Sequence, residues 1–508
     1  MEPHDDNIKF AGDYNMSSII LHNHANSGFT SDEDGVNIQR LVVEMNIYEG
    51  INSNAVTGSL VIVDSINLIG NLPIQGTERL SFKLSTPGAH EFGHIVDCSE
   101  ETGYPMHVYK LTDKKQLNEG TCSYILHFCS REFLRSLRTR VSESFEGTID
   151  EMVTKILADK DYLDSKKTLF YQKTRNPDKL VVPNMRPFKA IEMLCKRALS
   201  DQTESNSAGY HFYETTKGFH FRSFESMSVD SRGMPREVKQ EFNYMPTMNA
   251  DPGITGVIPT KNGKPIDKIL NDLTSVEDYK FINNFHDVAA NTALGTYGHR
   301  VITHNLYNKS YKVSDYHYHN YFNQTKHTDG PNPAIVDTPV DFDDKNVSDY
   351  PESRISVMPT TQYAYDEDTG DFGIDVEQDG ITEAARVSQR NAVAAGTKLK
   401  LTIKGQSYLQ VGDVIQFNIL AVESPDMRPA GVDRRQDPHY SGRYIIENMR
   451  HRVTTREYLQ VIECAKDSVV TPYSTSKEDS FDGHKLPREY SVRKDISEFD
   501  DTGKGPHR

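Results

Sequence analysis

Gly58-Ser-Leu-Val-Ile-Val63 with Leu80-Ser-Phe-Lys-Leu84, and far downstream Lys398-Leu-Lys-Leu-Thr-Ile403 with Val414-Ile-Gln-Phe-Asn-Ile419, are two versions of one pattern. Each is a run of β-branched and apolar residues, a turn region, and a second run in the same rhythm, which is the mark of strands with at least one buried face. An aromatic-led run follows each pair, Tyr124-Ile-Leu-His-Phe128 in the first case and Tyr444-Ile-Ile446 in the second. Chance likeness between β-patterned stretches is the competing reading. An internal repeat makes the chain two related β-units separated by inserted material.

Around the first pair, Val42, Glu44, Asn46 and Tyr48 alternate with Leu41, Val43, Met45 and Ile47, and Met106 to Leu111 and Ser123 to Cys129 are further strand candidates. Short strands cut by Asn, Gly and Pro, with no helix of any length between them, predict a small antiparallel barrel or sandwich over 37–140. Residues 1–36 are polar, with one strand candidate at Ser18 to Leu21 and the acidic loop Ser31-Asp-Glu-Asp-Gly35, and read as an N-terminal arm.

From about 141 the period becomes helical. Thr148-Ile-Asp-Glu151 has the spacing of a capping box, and Met152, Val153, Ile156 and Leu157 follow on one face. A second helix opens at Pro187, where a missing N–H costs nothing, and places Ile191, Leu194, Cys195 and Ala198 on one stripe. Tyr210-His-Phe-Tyr-Glu-Thr215 and Gly218-Phe-His-Phe-Arg-Ser-Phe224 then predict an aromatic hairpin of strict alternation, so 141–235 reads as an α+β domain. Residues 236–310 mix weak strands and loops, and 311–380 are poor in apolar residues and rich in Asp, Pro and Gly, an acidic insertion. Thr382 to Ala395 predicts a helix closed by Gly396. Strands return at Leu399 to Ile403, Asp413 to Leu420, Arg443 to Arg450 and Tyr458 to Cys464, so 236–310 and 381–470 form the second β-unit with a smaller associated domain. Residues 471–508 are Ser-, Asp- and Lys-rich and read as a flexible tail. The expected fold class is therefore α+β, mainly β.

Composition narrows the function. The chain has 508 residues, enough for three or four domains, and its 36% hydrophobic content implies long polar loops between the folded parts. With 73 acidic against 57 basic residues the formal net charge is −16, which disfavours sequence-reading contact with phosphates but suits a surface that DNA slides past. Five cysteines without a C-x-x-C pair argue against a disulfide framework or a cysteine zinc ribbon and point to a reducing cytosol. No leader pattern opens the chain and no run has the apolar length of a membrane span, so neither classical secretion nor membrane insertion is expected.

His90-Glu-Phe-Gly-His94 is a literal H-E-x-x-H, which on a helix would aim His90 and His94 at one zinc ion with Glu91 as base. Ser85-Thr-Pro-Gly-Ala89 ahead of it and Gly93 inside it oppose a helix, and Asp97 and Glu100 stand where the extended protease pattern needs Gly and His. A zinc metalloprotease on His90, Glu91 and His94 is the alternative from another class. His317 and His319 would share one side of a strand, but with no acid or cysteine at a matching spacing they read as an ordinary strand pair. Asp366-Glu-Asp-Thr-Gly-Asp371 lacks the ligand pattern of a calcium loop. No catalytic, cofactor-binding or metal residue is assigned, and no cofactor is expected.

Three stretches carry a resemblance: Gln406 to Ile419, Asp437-Pro-His-Tyr-Ser-Gly-Arg-Tyr-Ile-Ile-Glu-Asn-Met-Arg-His-Arg452, and Tyr458-Leu-Gln-Val-Ile-Glu-Cys-Ala-Lys-Asp467. Their order of Gly412, Asp413, Ile415, Tyr440, Ser441, Gly442, Tyr444, Ile446, His451, Lys466 and Asp467 resembles the baseplate hub proteins of contractile-tailed bacteriophages, of the T-even kind, and the likeness spans about 38–470. The resemblance implies two tail-tube-like antiparallel β-barrels in one chain and a homotrimer whose six barrels match the threefold central spike to the sixfold tail tube. It further implies a non-enzymatic structural protein of the virion tail baseplate, assembled in the host cytoplasm. Its expected partners are copies of itself, the spike protein, tail tube or tube-initiator proteins and baseplate wedge proteins, with DNA only in transit through the lumen. The hub of a non-phage contractile injection system is the nearest alternative.

Overall fold

In the computed structural model the described residues are 10–22, 35–71, 74–87, 96–102, 104–175, 177–201, 209–230, 232–244, 272–283, 287–305, 309–339, 345–359, 364–366, 371–373, 396–421 and 436–473. The His90 to His94 motif, the helix expected at Thr382 to Ala395 and the tail beyond Tyr473 lie outside them, as does most of the acidic stretch 366–379.

The fold is mainly β, and its centre is one 15-stranded sheet. Two groups of strands compose most of it. The first comprises Val42–Gly50, Thr57–Asp64, Arg79–Ser85, Met106–Asn118 and Thr121–Cys129; the second comprises Val276–Asn283, Thr397–Lys404, Val414–Ile419, Gly442–Thr454 and Tyr458–Lys466. Numbered along the chain, each group of five is hydrogen-bonded in the spatial order first, second, fifth, fourth, third. Two of the irregularities correspond as well. A bulge between Val42 and Glu44 on the first strand of one group matches a bulge between Val276 and Asp278 in the other. A bulge between Val108 and Lys110 on the fourth strand matches one between Ile446 and Asn448. Bulges are built-in features of a strand's curvature, so coincident bulges mark a repeated unit.

The repeat seen in the sequence is thus a repeat of topology, with one strand matched differently. The structural counterpart of Thr121–Cys129 is Tyr458–Lys466, while Tyr444 lies on the counterpart of Met106–Asn118. Aromatic-led β-patterns look alike because the period of two carries no information about strand order.

Each half has its own core. Leu60, Ile62, Leu80, Phe82, Val108, Leu126 and Phe128 fill the first, and Leu399, Leu401, Ile403, Val414, Phe417, Ile445 and Ile462 fill the second. Along Thr397–Lys404 buried and half-buried residues alternate without a break, so each inward apolar side chain removes roughly 1.5–3 kcal/mol of exposed surface from water. Gln240–Tyr244 adds in parallel to Val414–Ile419, and an isolated bridge between Asn243 and Ser275 brings it beside the start of Val276–Asn283.

The α+β domain has the two expected helices, Ile149–Ala158 and Pro187–Cys195, with Glu151 accepting the Thr148 backbone N–H at 3.1 Å. A further helix, Arg131–Arg138, precedes them. The hairpin pairs Tyr210–Thr215 with Gly218–Ser223, but nearly all of it is buried, and its alternation does not separate core from solvent. One face, with Tyr210, Phe212, Phe219 and Phe221, packs on the two helices; the other carries Tyr213 into the core of the second half. Residues 311–380, read from composition as loops, contribute strands: Ser310–His317 and Ile355–Pro359 flank Gly298–Asn305 in a three-stranded sheet. The usual pattern is reversed in them, with polar His299, Thr303 and Ser314 buried and Tyr311, Val313, Ile355 and Val357 exposed, so apolar content did not announce a core face.

Candidate functional site

The residues of the hub-like signature converge on polar contacts that lock separate elements together. Gly412 takes a φ of +89°, and its N–H donates to the Ile446 carbonyl at 2.9 Å. Asp413 accepts the Gln410 backbone N–H at 3.0 Å, and Ile415 and Ile446 are buried in the core that this turn leads into. The Ser441 hydroxyl both accepts from the Ile419 N–H at 3.1 Å and donates to the Ile419 carbonyl at 3.0 Å. The Tyr444 hydroxyl donates to the Tyr440 carbonyl at 2.7 Å.

Lys466 and Asp467 sit at the centre. The Lys466 ammonium donates to Asp329 at 3.1 Å and to the carbonyls of His439 and Ser441 at 2.7 and 2.9 Å. Burial lowers the Lys466 pKa despite Asp329, and the lysine–aspartate pair is almost wholly sealed, with side-chain exposures of 1% and 3%. Asp467 accepts from the Thr328 N–H at 3.0 Å and pairs with His327 at 2.8 Å. Burial alone would raise the Asp467 carboxyl, but His327 outweighs it and holds the carboxyl below its usual range, while Asp467 holds the imidazole above its own. His327, Thr328 and Asp329 come from a loop more than a hundred residues upstream, and sequence reading missed them because nothing in a polar loop announces a distant buried cation.

The seam between the halves is the antiparallel pairing of Val42–Gly50 with Gly442–Thr454, running from Gly50 opposite Asn448 to Glu44 opposite Thr454. On its outer side Glu44 receives Arg450 at 3.2 Å and Arg452 at 3.0 Å, and Arg450 also donates to Asn46 at 2.8 Å. On its inner side Val453 and Tyr458 of the second half join the core of the first. Two buried polar clusters tie the α+β domain to this seam. Glu49 accepts the Thr216 N–H at 2.9 Å. Lys167 binds Glu132 at 3.0 Å and also Glu214, which in turn accepts the Val56 N–H at 2.9 Å. Burial opposes the charge on Lys167, but the two glutamates outweigh it and raise its pKa.

His317 and His319 do not share a strand face. His317 ends Ser310–His317, and His319 lies in the helix Tyr318–Phe322, because the chain turns at Tyr318. Acids do stand nearby: His317 meets Asp349 at 3.1 Å, and His319 lies 3.6 Å from Asp337. Loop closure brought them in, which local spacing does not reveal. Among the described residues no group of three or more His, Cys, Asp and Glu is arranged to hold a metal, and no helix is long and apolar enough to cross a membrane. Asp97, downstream of the H-E-x-x-H string, is in the strand Val96–Cys98, opposite Lys83.

No family model matches the chain. It is 19% identical over 441 residues to a "probable baseplate hub protein" of Vibrio phage KVP40, a match covering 85% of this chain and 91% of that protein. Among solved structures it is similar to a tail protein from Neisseria meningitidis MC58, at 9% identity and a TM-score of 0.46, covering 89% of this chain and 97% of the other. It is also similar to the 43 kDa tail protein of prophage MuSo2 from Shewanella oneidensis, at 8% identity and a TM-score of 0.45, covering 90% and 100%. The chain is thus similar along most of its length to a protein described as a probable baseplate hub protein, of the kind that its signature residues resemble.

Proposed function

We propose that this chain is a structural baseplate hub subunit of a contractile phage tail. Three copies form a pseudo-sixfold ring of six tail-tube-like barrels, which joins the central spike on one side to tail tube or tube-initiator subunits on the other, contacts the wedge proteins around it, and leaves a lumen through which DNA passes. The chain has no enzymatic role in this reading, and it resides in the virion tail baseplate after assembly in the host cytoplasm. The observation that carries the proposal is the topological repeat: two halves with the same strand order and two matching bulges are already joined edge to edge within one chain. A unit that pairs with its own copy inside a chain is suited to pairing with further copies outside it.

Light scattering with particle imaging of the full chain, alone and with spike and tube subunits, tests it. A ring of three copies with a central channel is the expected result. A monomer in every mixture would overturn the ring, and stoichiometric zinc with an activity lost in Glu91→Gln would transfer the assignment to the protease alternative.

A further inference from the structure

The two halves use one edge of each kind inside the chain and leave one edge of each kind outside it. Within the chain, the first strand of the first half, Val42–Gly50, pairs with the late part of the fourth strand of the second half, Gly442–Thr454. The fourth strand of each half divides its outer edge in the same way. Gly442 to Ile445 pair with the third strand, and pairing with the other half begins after the bulge, at Asn448. In the first half Met106 and His107 pair with the third strand, and the bulge follows at Val108 to Lys110. Among the described residues nothing pairs with the outer edge of 110–118, nor with that of 278–283 on the first strand of the second half.

We infer that these two edges join a second copy of this chain: 110–118 of one copy pairs antiparallel with 276–283 of the next, repeating the internal seam between chains. The inference deepens the proposed ring and rests on that reading for closure. The two edges differ from each other, so the contact is head to tail, the kind that generates rings instead of isolated pairs.

The internal seam supplies the register. Counting from the matched bulges, Ile282, at a further bulge that it shares with Asn283, stands where Tyr48 stands and Thr112 where Arg450 stands, and Tyr48 is directly opposite Arg450. Asp278 occupies the place of Glu44; past a further bulge between Thr112 and Lys115, Lys115 pairs with Ser123 as Arg452 pairs with Leu459, so the Glu44–Arg452 ion pair recurs between chains as Asp278–Lys115. Both of these side chains are exposed in the single chain. So are Ile282, at 49%, and Leu117, at 58%, apolar residues left on the two edges. A bare strand edge with exposed apolar side chains is a template for strand addition.

Two full-length variants, Thr112→Cys and Ile282→Cys, test the pairing under mild oxidation, with the linked peptides identified by mass spectrometry to separate them from the native cysteines. The expected product is a covalent dimer joining positions 112 and 282, formed when the two variants are mixed and not by either alone. Asp278→Lys or Lys115→Glu alone should raise the concentration needed for association several-fold, and the two reversals combined should bring it back toward the starting value. If rings form but no 112–282 link appears and the charge variants associate unchanged, the edge pairing is wrong and the ring stands. Links of 282 to 282 would likewise overturn it. A chain that stays monomeric with spike and tube subunits present would overturn both.

Discussion

Nε2 of His451 lies 3.9 Å from Oε1 of Glu49, with both side chains sealed from solvent where the seam meets the hairpin of the α+β domain. The imidazole is turned by its other nitrogen, which contacts the Tyr458 hydroxyl at 2.6 Å. Glu49 Oε2 and His451 Nε2 have no hydrogen-bond partner among the described residues, so a carboxylate charge here is poorly compensated. Burial pushes the Glu49 carboxyl up to about 7, against the pull of the Thr216 N–H, and burial lowers His451 to about 4.

The pH dependence follows from the raised carboxyl. A group with a higher pKa folded than unfolded contributes stability that is complete below its unfolded value and is lost as pH rises through the folded one. For Glu49 that window runs from 4.5 to about 7, and a shift of this size corresponds to about 3 kcal/mol. Glu49→Gln keeps an acceptor for Thr216 and removes the charge. Thermal unfolding followed from pH 5 to 8 should show the variant more stable than the parent at pH 8, and the two nearly equal at pH 5.

Lys466→Met leaves Asp329 buried with its Arg443 N–H partner at 2.9 Å but without its counter-charge. Removing one member of a sealed pair costs about 3–5 kcal/mol. The expected outcome is a large fall in the urea midpoint, and Lys466→Met combined with Asp329→Leu should cost less than the sum of the two single changes.

Gly442 has a φ of +135°, and a Cβ built there would lie 2.2 Å from Asp329 Oδ2. Gly442→Ala therefore meets both backbone strain and a side chain held on several sides. A loss of more than 1 kcal/mol is expected from the strain alone, measured by the same denaturation.

The seam separates weak from strong contributions. Arg450 and Arg452 are about two-fifths exposed where they meet Glu44, and exposed pairs contribute at most about 1 kcal/mol. Ile47, on the same strand, is fully buried in the first core. Ile47→Ala should cost about 2–5 kcal/mol, and Glu44→Ala should fall well below that in the same assay, its effect shrinking further in high salt.

Local patterning made much of the scaffold legible. Leu399, Leu401 and Ile403 announce their strand by period, Thr148 and Glu151 announce a helix start, and Pro187 marks another, because each signal is a contact between residues a few positions apart. The signature residues Lys466, Asp467 and Gly442 were legible as a string but not as a mechanism, since their partners Asp329, His327 and Thr328 lie far away in the chain. His317 and His319 were misplaced for the complementary reason: two residues apart suggests one strand face only if the strand continues, and here it ends at His317.

By itself the sequence determined the mainly β class, the positions of the principal strands and helices, the presence of two related β-units and the resemblance to hub proteins, because period, capping and turn chemistry act over short stretches. Only the tertiary structure decided which strands neighbour which, that Val42–Gly50 crosses to Gly442–Thr454, and which edges are unpaired among the described residues. Strand order is set by contacts hundreds of residues apart, where burial of the seam and satisfaction of buried charges such as Lys466 and Glu49 select one arrangement, and no local pattern encodes that choice.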